Sequence, residues 1–180
     1  MITWITADHH FGHANIIKYC NRPFNSVEEM DDTMIRRWNE LVDKKDTVIS
    51  VGDFSMNRQS AIRSLDELNG TICLIPGSHD DWIESLGAGT LRFKLFPKLY
   101  EKKFPFGSEK VMIVMCHYAM RVWNLSHYGS YHFYGHSHGT LPGVGRSIDV
   151  GVDGNNFYPY NYIELLFKLE NEKNVNQLPS

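Results

Sequence analysis

Long hydrophobic runs are missing from this 180-residue chain, and none approaches the roughly 20 residues of a membrane-spanning helix. The opening Met1-Ile2-Thr3-Trp4-Ile5-Thr6-Ala7-Asp8 also lacks the basic stretch and extended apolar core of a secretory signal. Cysteine is scarce. Cys20, Cys73 and Cys116 are odd in number and form no C-x-x-C pair, which argues against a disulfide framework or a zinc ribbon. Cys73 and Cys116 lie in apolar runs and read as small buried hydrophobes, so the expected compartment is reducing and cytoplasmic. An excess of basic charge is missing too. Lys and Arg number 18 against 21 Asp and Glu, a net of −3, which excludes a nucleic-acid coat as the role. Repeats, low-complexity tracts and Gly/Ser linkers are absent. Residues 1–170 therefore read as a single domain, with a polar tail, 171–180, expected to fray.

What is present is a composition for a packed core, 42% hydrophobic and 13% aromatic, together with nine histidines. The first half alternates strand and helix. Ile2–Thr6, Thr47–Val51 and Thr71–Ile75 are short β-branched runs. Between the first two, Ala14–Tyr19 is weakly helical, and Ser26 with Glu29 forms a capping box for a helix carrying Met30, Met34, Trp38, Leu41 and Val42. Ile62, Leu65 and Leu68 mark another helix, stopped at Asn69-Gly70. That alternation predicts an α/β fold with a parallel sheet. The second half reads as strands, at Phe93–Leu99, Lys110–Cys116, Tyr131–Tyr134, Ser147–Val150 and Tyr162–Leu169, which predicts a second, more antiparallel sheet.

Carboxylates and imidazoles cluster where these strands end. Asp8-His9-His10, Gly52-Asp53, Gly77-Ser78-His79-Asp80, His117 and Gly135-His136-Ser137-His138 each follow a strand. Ligands bind at the carboxyl ends of strands in open α/β sheets. The i, i+2 pairs Asp8/His10 and His136/His138 put two donors on one side if the strand alternation continues. Mixed carboxylate and neutral imidazole donors suit borderline divalent metals. Two ions roughly 3.5–4 Å apart form the usual device for displacement at phosphorus.

In this order the motifs resemble the calcineurin-like metallophosphoesterase superfamily, over residues 5 to about 165. Asn15-Ile16-Ile17, Arg22-Pro23-Phe24, His117 to Trp123 and Val150-Gly151-Val152-Asp153 also look like its small single-domain bacterial and phage branch. The resemblance implies a four-layer α-β-β-α sandwich of two mixed sheets. It implies that Asp8, His10 and His138 hold one metal, that Asp53 bridges, and that His117, His136 and Ser78 hold the second. His79 would be the general acid and Asp80 would orient its imidazole. The cofactors implied are two divalent ions, manganese first, with iron, zinc, nickel, cobalt or magnesium as alternatives. The partner implied is a phosphoester: a nucleotide or nucleic-acid phosphodiester, a cyclic nucleotide or a monoester. Two divalent ions, two carboxylates and a hydroxide would leave the site at about +1, which suits such a substrate. No membrane partner is expected.

The family has Asn where this chain has Ser78. Either water fills the gap or the second metal is held more weakly. The alternative function is then a catalytically weakened scaffold that binds a protein partner. His13 is expected to face substrate, and Arg22 and Arg121 to grip non-reacting phosphate oxygens through the guanidinium fork. His9 reads as structural, His127 and His132 as surface residues, and Tyr118, Trp123 and Tyr128 as packing or base-stacking groups. Asp153 and Asn156 are expected beside the ligands on the resemblance alone.

Overall fold

The parallel strands of the first half assemble as the alternation predicts. The computed structural model describes residues 1–85 and 93–174. β1 (Thr3–Thr6), β2 (Thr47–Val51) and β3 (Thr71–Ile75) pair in parallel, with α1 (Ala14–Tyr19), α2 (Val27–Leu41) and α3 (Arg58–Glu67) as connections. Ser26 Oγ caps α2 by accepting the Glu29 amide. The Glu29 carboxylate reaches back one residue further than a capping box requires, to the Asn25 amide. One face of this sheet, with Trp4, Val48, Ile72 and Leu74, packs against Met30, Met34 and Trp38 of α2 and Ala61 and Leu65 of α3.

The second half departs from expectation in three places. β4 (Phe93–Leu95) ends before Leu99 and joins the first sheet, parallel to β3. β5 (Leu99–Phe106) is a separate strand. With β6 (Glu109–Cys116), β7 (Tyr131–Tyr134) and β8 (Ser147–Asp149) it forms the second sheet, in which only β5 and β6 run antiparallel. The first sheet takes the order β4-β3-β2-β1-β9, where β9 (Tyr160–Asn161) pairs antiparallel with β1. Both sheets are therefore mixed.

The third departure is α4 (Tyr162–Leu169), which the aromatic and apolar content made look like a strand. Its Leu165, Leu166 and Leu169 are buried while Glu164, Phe167 and Lys168 face water, a helical period. Asn161 Oδ1 accepts the Ile163 amide as N-cap. The three leucines close the core between the two sheets, beside Ile5, Ile49, Ile113 and Phe133.

The expected outer helical layer is not built. Among the described residues, the far face of the second sheet (Val114, His132, Tyr134) is covered by loops. His132 Nε2 accepts the Met120 amide and its ring lies 5.2 Å from Trp123, while the Tyr134 hydroxyl donates to Leu141 O. His132 is thus a core residue, not a surface one: strand alternation turns it under this loop. Residues 171–174 are tied back, with Arg146 donating to the carbonyls of Glu170 and Glu172. The remainder of the tail, 175–180, lies outside the described residues. No described helix is long and apolar enough to cross a membrane.

Candidate metal centre

Every histidine or aspartate expected as a metal ligand sits on a loop leaving the carboxyl end of β1, β2, β6 or β7, and those loops are laced to one another. Asp8 N–H donates to Gly52 O, His10 N–H to Asp53 O, Gly135 N–H to His117 O and Val152 N–H to Ala7 O. Two donor sets result, Asp8/His10/His138 and Asp53/His117/His136, each with its ligand atoms within 4.8 Å of one another. Asp53 faces both: its Oδ2 is 3.2 Å from His117 Nε2 and 3.6 Å from His10 Nε2.

Strand alternation does not bring the i, i+2 pairs together. Asp8, His10, Asp53, His136 and His138 all adopt left-handed backbone, φ between 48° and 68°. Asp, Asn and His tolerate that region better than most residues, but holding it still costs energy that the surroundings must offset. Glycine makes room at close approaches. A Cβ on Gly135 would lie 2.8 Å from both Asp8 Oδ2 and Ala7 Cβ.

The residues present fit a metal. His10 Nε2 and His117 Nε2 are buried with no hydrogen-bond partner, although polar atoms in such positions are normally paired. Their partner nitrogens are engaged elsewhere. His117 Nδ1 donates to Val51 O at 3.0 Å, which leaves Nε2 with a free lone pair facing Asp53. His138 Nδ1 is held at 2.8 Å by Asp153 Oδ2, and His10 Nδ1 meets His13 Nδ1 at 3.2 Å. A carboxylate or carbonyl on the far nitrogen is the arrangement that orients imidazole ligands.

Electrostatics show the same crowding. Burial pushes the Asp8 carboxyl up to about 7, against the pull of His117 and His138. Burial also raises Asp53, but His117 and the His79 amide outweigh it and hold that carboxyl well below the usual range. Burial lowers His10. For His117 and His138 burial is outweighed by their carboxylate partners, Asp53 and Asp153, and both rise. His136, exposed on the rim, is lowered by partial desolvation and by His117.

The other expected site residues fall in different places. Ser78 is exposed, and its hydroxyl donates to Asp53 at 3.1 Å. The His79 ring stands 5.1 Å from His10 and 5.6 Å from His13, in reach of a third set, His10/Asp53/His79. Asp80 does not orient that imidazole. Its carboxylate accepts N–H groups of Phe54, Ser55, Gly77 and Trp82, so it fixes the turn carrying His79 rather than the ring. His13 lies partly exposed at the mouth beside His10.

Arg22 is not available to substrate. Its side chain is fully buried, forked onto Asp153 at 2.8 Å and bonded to the carbonyls of Asp8 and His9. Arg121 is exposed and lines two surface clefts, neither of which includes a candidate ligand, so it does not sit on the metal sets. His9 is buried against Phe11, Trp38 and Phe54, and burial lowers it to about 3.

Three carboxylates matter more than their sequence context suggests. Asp153 joins Arg22 to His138. Asp149 accepts Ser137 Oγ and the Gly139 and Gly151 amides, which shapes the loop bearing His136 and His138. Asp31 read as one of several acidic groups in the first turns of α2. It is buried instead and accepts the Gly12 amide, below His10 and His13. The Val150-Gly151-Val152-Asp153 motif signals Asp153; nothing in the sequence singles out the other two.

No family model matches the chain. It is 48% identical over 84 residues to an uncharacterized protein of Methanocaldococcus jannaschii, a match covering 45% of this chain and 48% of that one. It is 35% identical over 82 residues to the gene 66 protein of Mycobacterium phage L5, covering 43% and 39%. The chain thus spans less than half the length of these curated relatives. Among solved structures, a protein of unknown function from Aquifex aeolicus superposes with a TM-score of 0.70 at 19% identity, covering 91% of this chain and 97% of its own. That likeness establishes the mixed α/β fold. A phosphopantetheinyl hydrolase from Mycobacterium tuberculosis gives a TM-score of 0.32 at 14% identity, covering 70% and 44%, too weak to carry an argument.

Proposed function

We propose that the chain is a metal-dependent phosphoesterase of the calcineurin-like kind, using two divalent ions, manganese foremost. The observation that carries this reading is the pair of donor sets sharing Asp53, with two buried imidazole nitrogens left unpaired. When bound, two such ions supply Lewis acidity toward phosphoryl oxygens and lower the pKa of water.

The chain's own groups do the rest. Asp8, His10 and His138 would hold one ion, His117 and His136 the other, and Asp53 both. Each set has three donors without His79, which leaves its imidazole free to hold a proton and give it to the leaving oxygen. Asp53 accepts the His79 amide at 2.8 Å and Asp80 fixes the same turn, so the ring is carried on a rigid support. Ser78 donates to Asp53 instead of presenting an amide oxygen, which favours a weaker second site over an absent one. The half-exposed Tyr118 ring, 5.0 Å from His117 and 4.8 Å from His136, offers a stacking surface that suits a nucleotide, cyclic nucleotide or nucleic-acid phosphodiester better than a protein phosphate.

Bis-p-nitrophenyl phosphate and p-nitrophenyl phosphate with Mn²⁺ test the reading. The wild type should hydrolyse one or both. His79→Ala should lose about 10²–10⁴-fold in kcat, and Asp53→Ala should lose activity together with metal stoichiometry. No hydrolysis with any of several divalent metals would favour the protein-binding scaffold.

A further inference from the structure

We infer that His13 couples the metal centre to the substrate: its Nδ1 accepts the Nδ1 proton of His10, which fixes its own Nε2–H as a hydrogen-bond donor to a phosphoryl oxygen beside His79. This rests on the phosphoesterase reading and adds to it one residue with two tasks, orienting a ligand and gripping the substrate.

The tautomers follow from the contacts. His10 Nε2 is buried and unpaired and faces Asp53 Oδ2 at 3.6 Å, so the ligating lone pair belongs there. The proton of a neutral His10 ring then sits on Nδ1. That atom is 3.2 Å from His13 Nδ1, and a hydrogen bond between two ring nitrogens holds one proton. His13 Nδ1 must offer its lone pair, so the His13 proton resides on Nε2. The other two oriented ligands differ. Behind His117 the acceptor is Val51 O, and behind His138 it is the Asp153 carboxylate. Both are acceptors only, whereas an imidazole has a donor left over.

His13 is held where that donor can act. Three successive amides of its loop are engaged: Phe11 N–H by Phe54 O, Gly12 N–H by the Asp31 carboxylate and His13 N–H by His10 O. The rings of His10, His13 and His79 form a triangle: 5.1 Å from His10 to His79, 5.2 Å from His10 to His13 and 5.6 Å from His13 to His79. A phosphoryl group that meets His79 is thus within reach of His13. The residue is partly exposed, and its Nε2 makes no hydrogen bond among the described residues.

Two amide substitutions separate the tasks. His13→Asn places an oxygen near the position of Nδ1, and His13→Gln places an N–H near that of Nε2. By calorimetry, wild type and His13→Asn should bind Mn²⁺ alike, with His13→Gln and His13→Ala about tenfold weaker. With each protein saturated in Mn²⁺, the order should cross: wild type and His13→Gln should hold phenylphosphonate about tenfold more tightly than His13→Asn and His13→Ala. Loss of structure would lower both affinities together and could not produce that crossing. Equal Mn²⁺ affinity in all four proteins would overturn the tautomer argument and the inference with it. Equal phenylphosphonate affinity, with bis-p-nitrophenyl phosphate still hydrolysed, would overturn the substrate contact and leave the phosphoesterase reading intact. The crossed pattern without hydrolysis would support the contact while the reaction reading falls. A wild type that takes up no Mn²⁺ would overturn both.

Discussion

One carboxylate, Asp153, engages both Arg22 and His138, and burial does not prevent it from ionising. Desolvation raises it, but the bonds from His138 and Arg22 outweigh burial and bring it to about 2. At neutral pH it is a fixed negative charge behind the His138 imidazole. Asp153→Asn keeps the volume and removes the charge. We expect affinity for a divalent ion at the His138 donor set to fall about 10–100-fold, read by calorimetric titration with Mn²⁺; an unchanged affinity would mean that His138 is oriented by something else. The same contacts explain why Arg22 deceives in sequence. An arginine beside a phosphate-type motif suggests a phosphate contact, yet this guanidinium holds backbone carbonyls of the very loop that bears Asp8 and His10. Only the fold reveals the carbonyls it serves.

Among the elements, strands buried on both faces were the most legible. Thr47–Val51 and Thr71–Ile75 match their expected bounds because parallel strands between two packed layers are short, continuous and apolar. The donor-bearing loops were legible for a different reason: carboxylate and imidazole rarely gather after successive strands without a ligand to hold. Tyr162–Leu169 failed because a short, aromatic, apolar run suits a strand or a buried helix equally. The deciding mark is the N-cap at Asn161, which composition hides. Asn161→Ala should cost about 1 kcal/mol by leaving the first turn of α4 uncapped, seen as a lower urea midpoint with an unchanged m-value. A neutral result would place the stability of α4 wholly in its three leucines. The left-handed backbone at five ligand candidates was not legible at all, since nothing in the residue order distinguishes a histidine held in that region from one in a strand.

For the whole molecule, the loop that replaces an outer helical layer makes stability depend on pH through His132. Burial lowers its pKa to about 4, although Val114 O and a backbone amide hold the ring. An unfolded histidine titrates near 6.5. As pH falls below 6.5 the unfolded chain takes up a proton that the folded chain refuses. Stability is therefore complete above 6.5 and is lost between 6.5 and 4, by on the order of 3 kcal/mol in all. Urea unfolding at pH 7, 6 and 5 should show the wild type losing about 2 kcal/mol more than His132→Gln over the whole range, most of it below pH 6. Parallel losses in both proteins would assign the acid sensitivity elsewhere.

The pairing of β1 with β9 also sets an order in time. A ribosome releases the chain from its N-terminus, so β1 to β3 and their helices can pack while the rest is still being made. Asp8, His10 and Asp53 emerge with them, but His117, His136 and His138 come later. Asp153, Val152 on Ala7, and β9 beside β1 come later still. Through most of its synthesis the protein carries only part of each donor set and could hold an ion only loosely. On the proposed reading, capture of a divalent ion then comes late in biogenesis, and a nascent chain stalled before residue 117 would carry only Asp8, His10 and Asp53 of the six candidate donors.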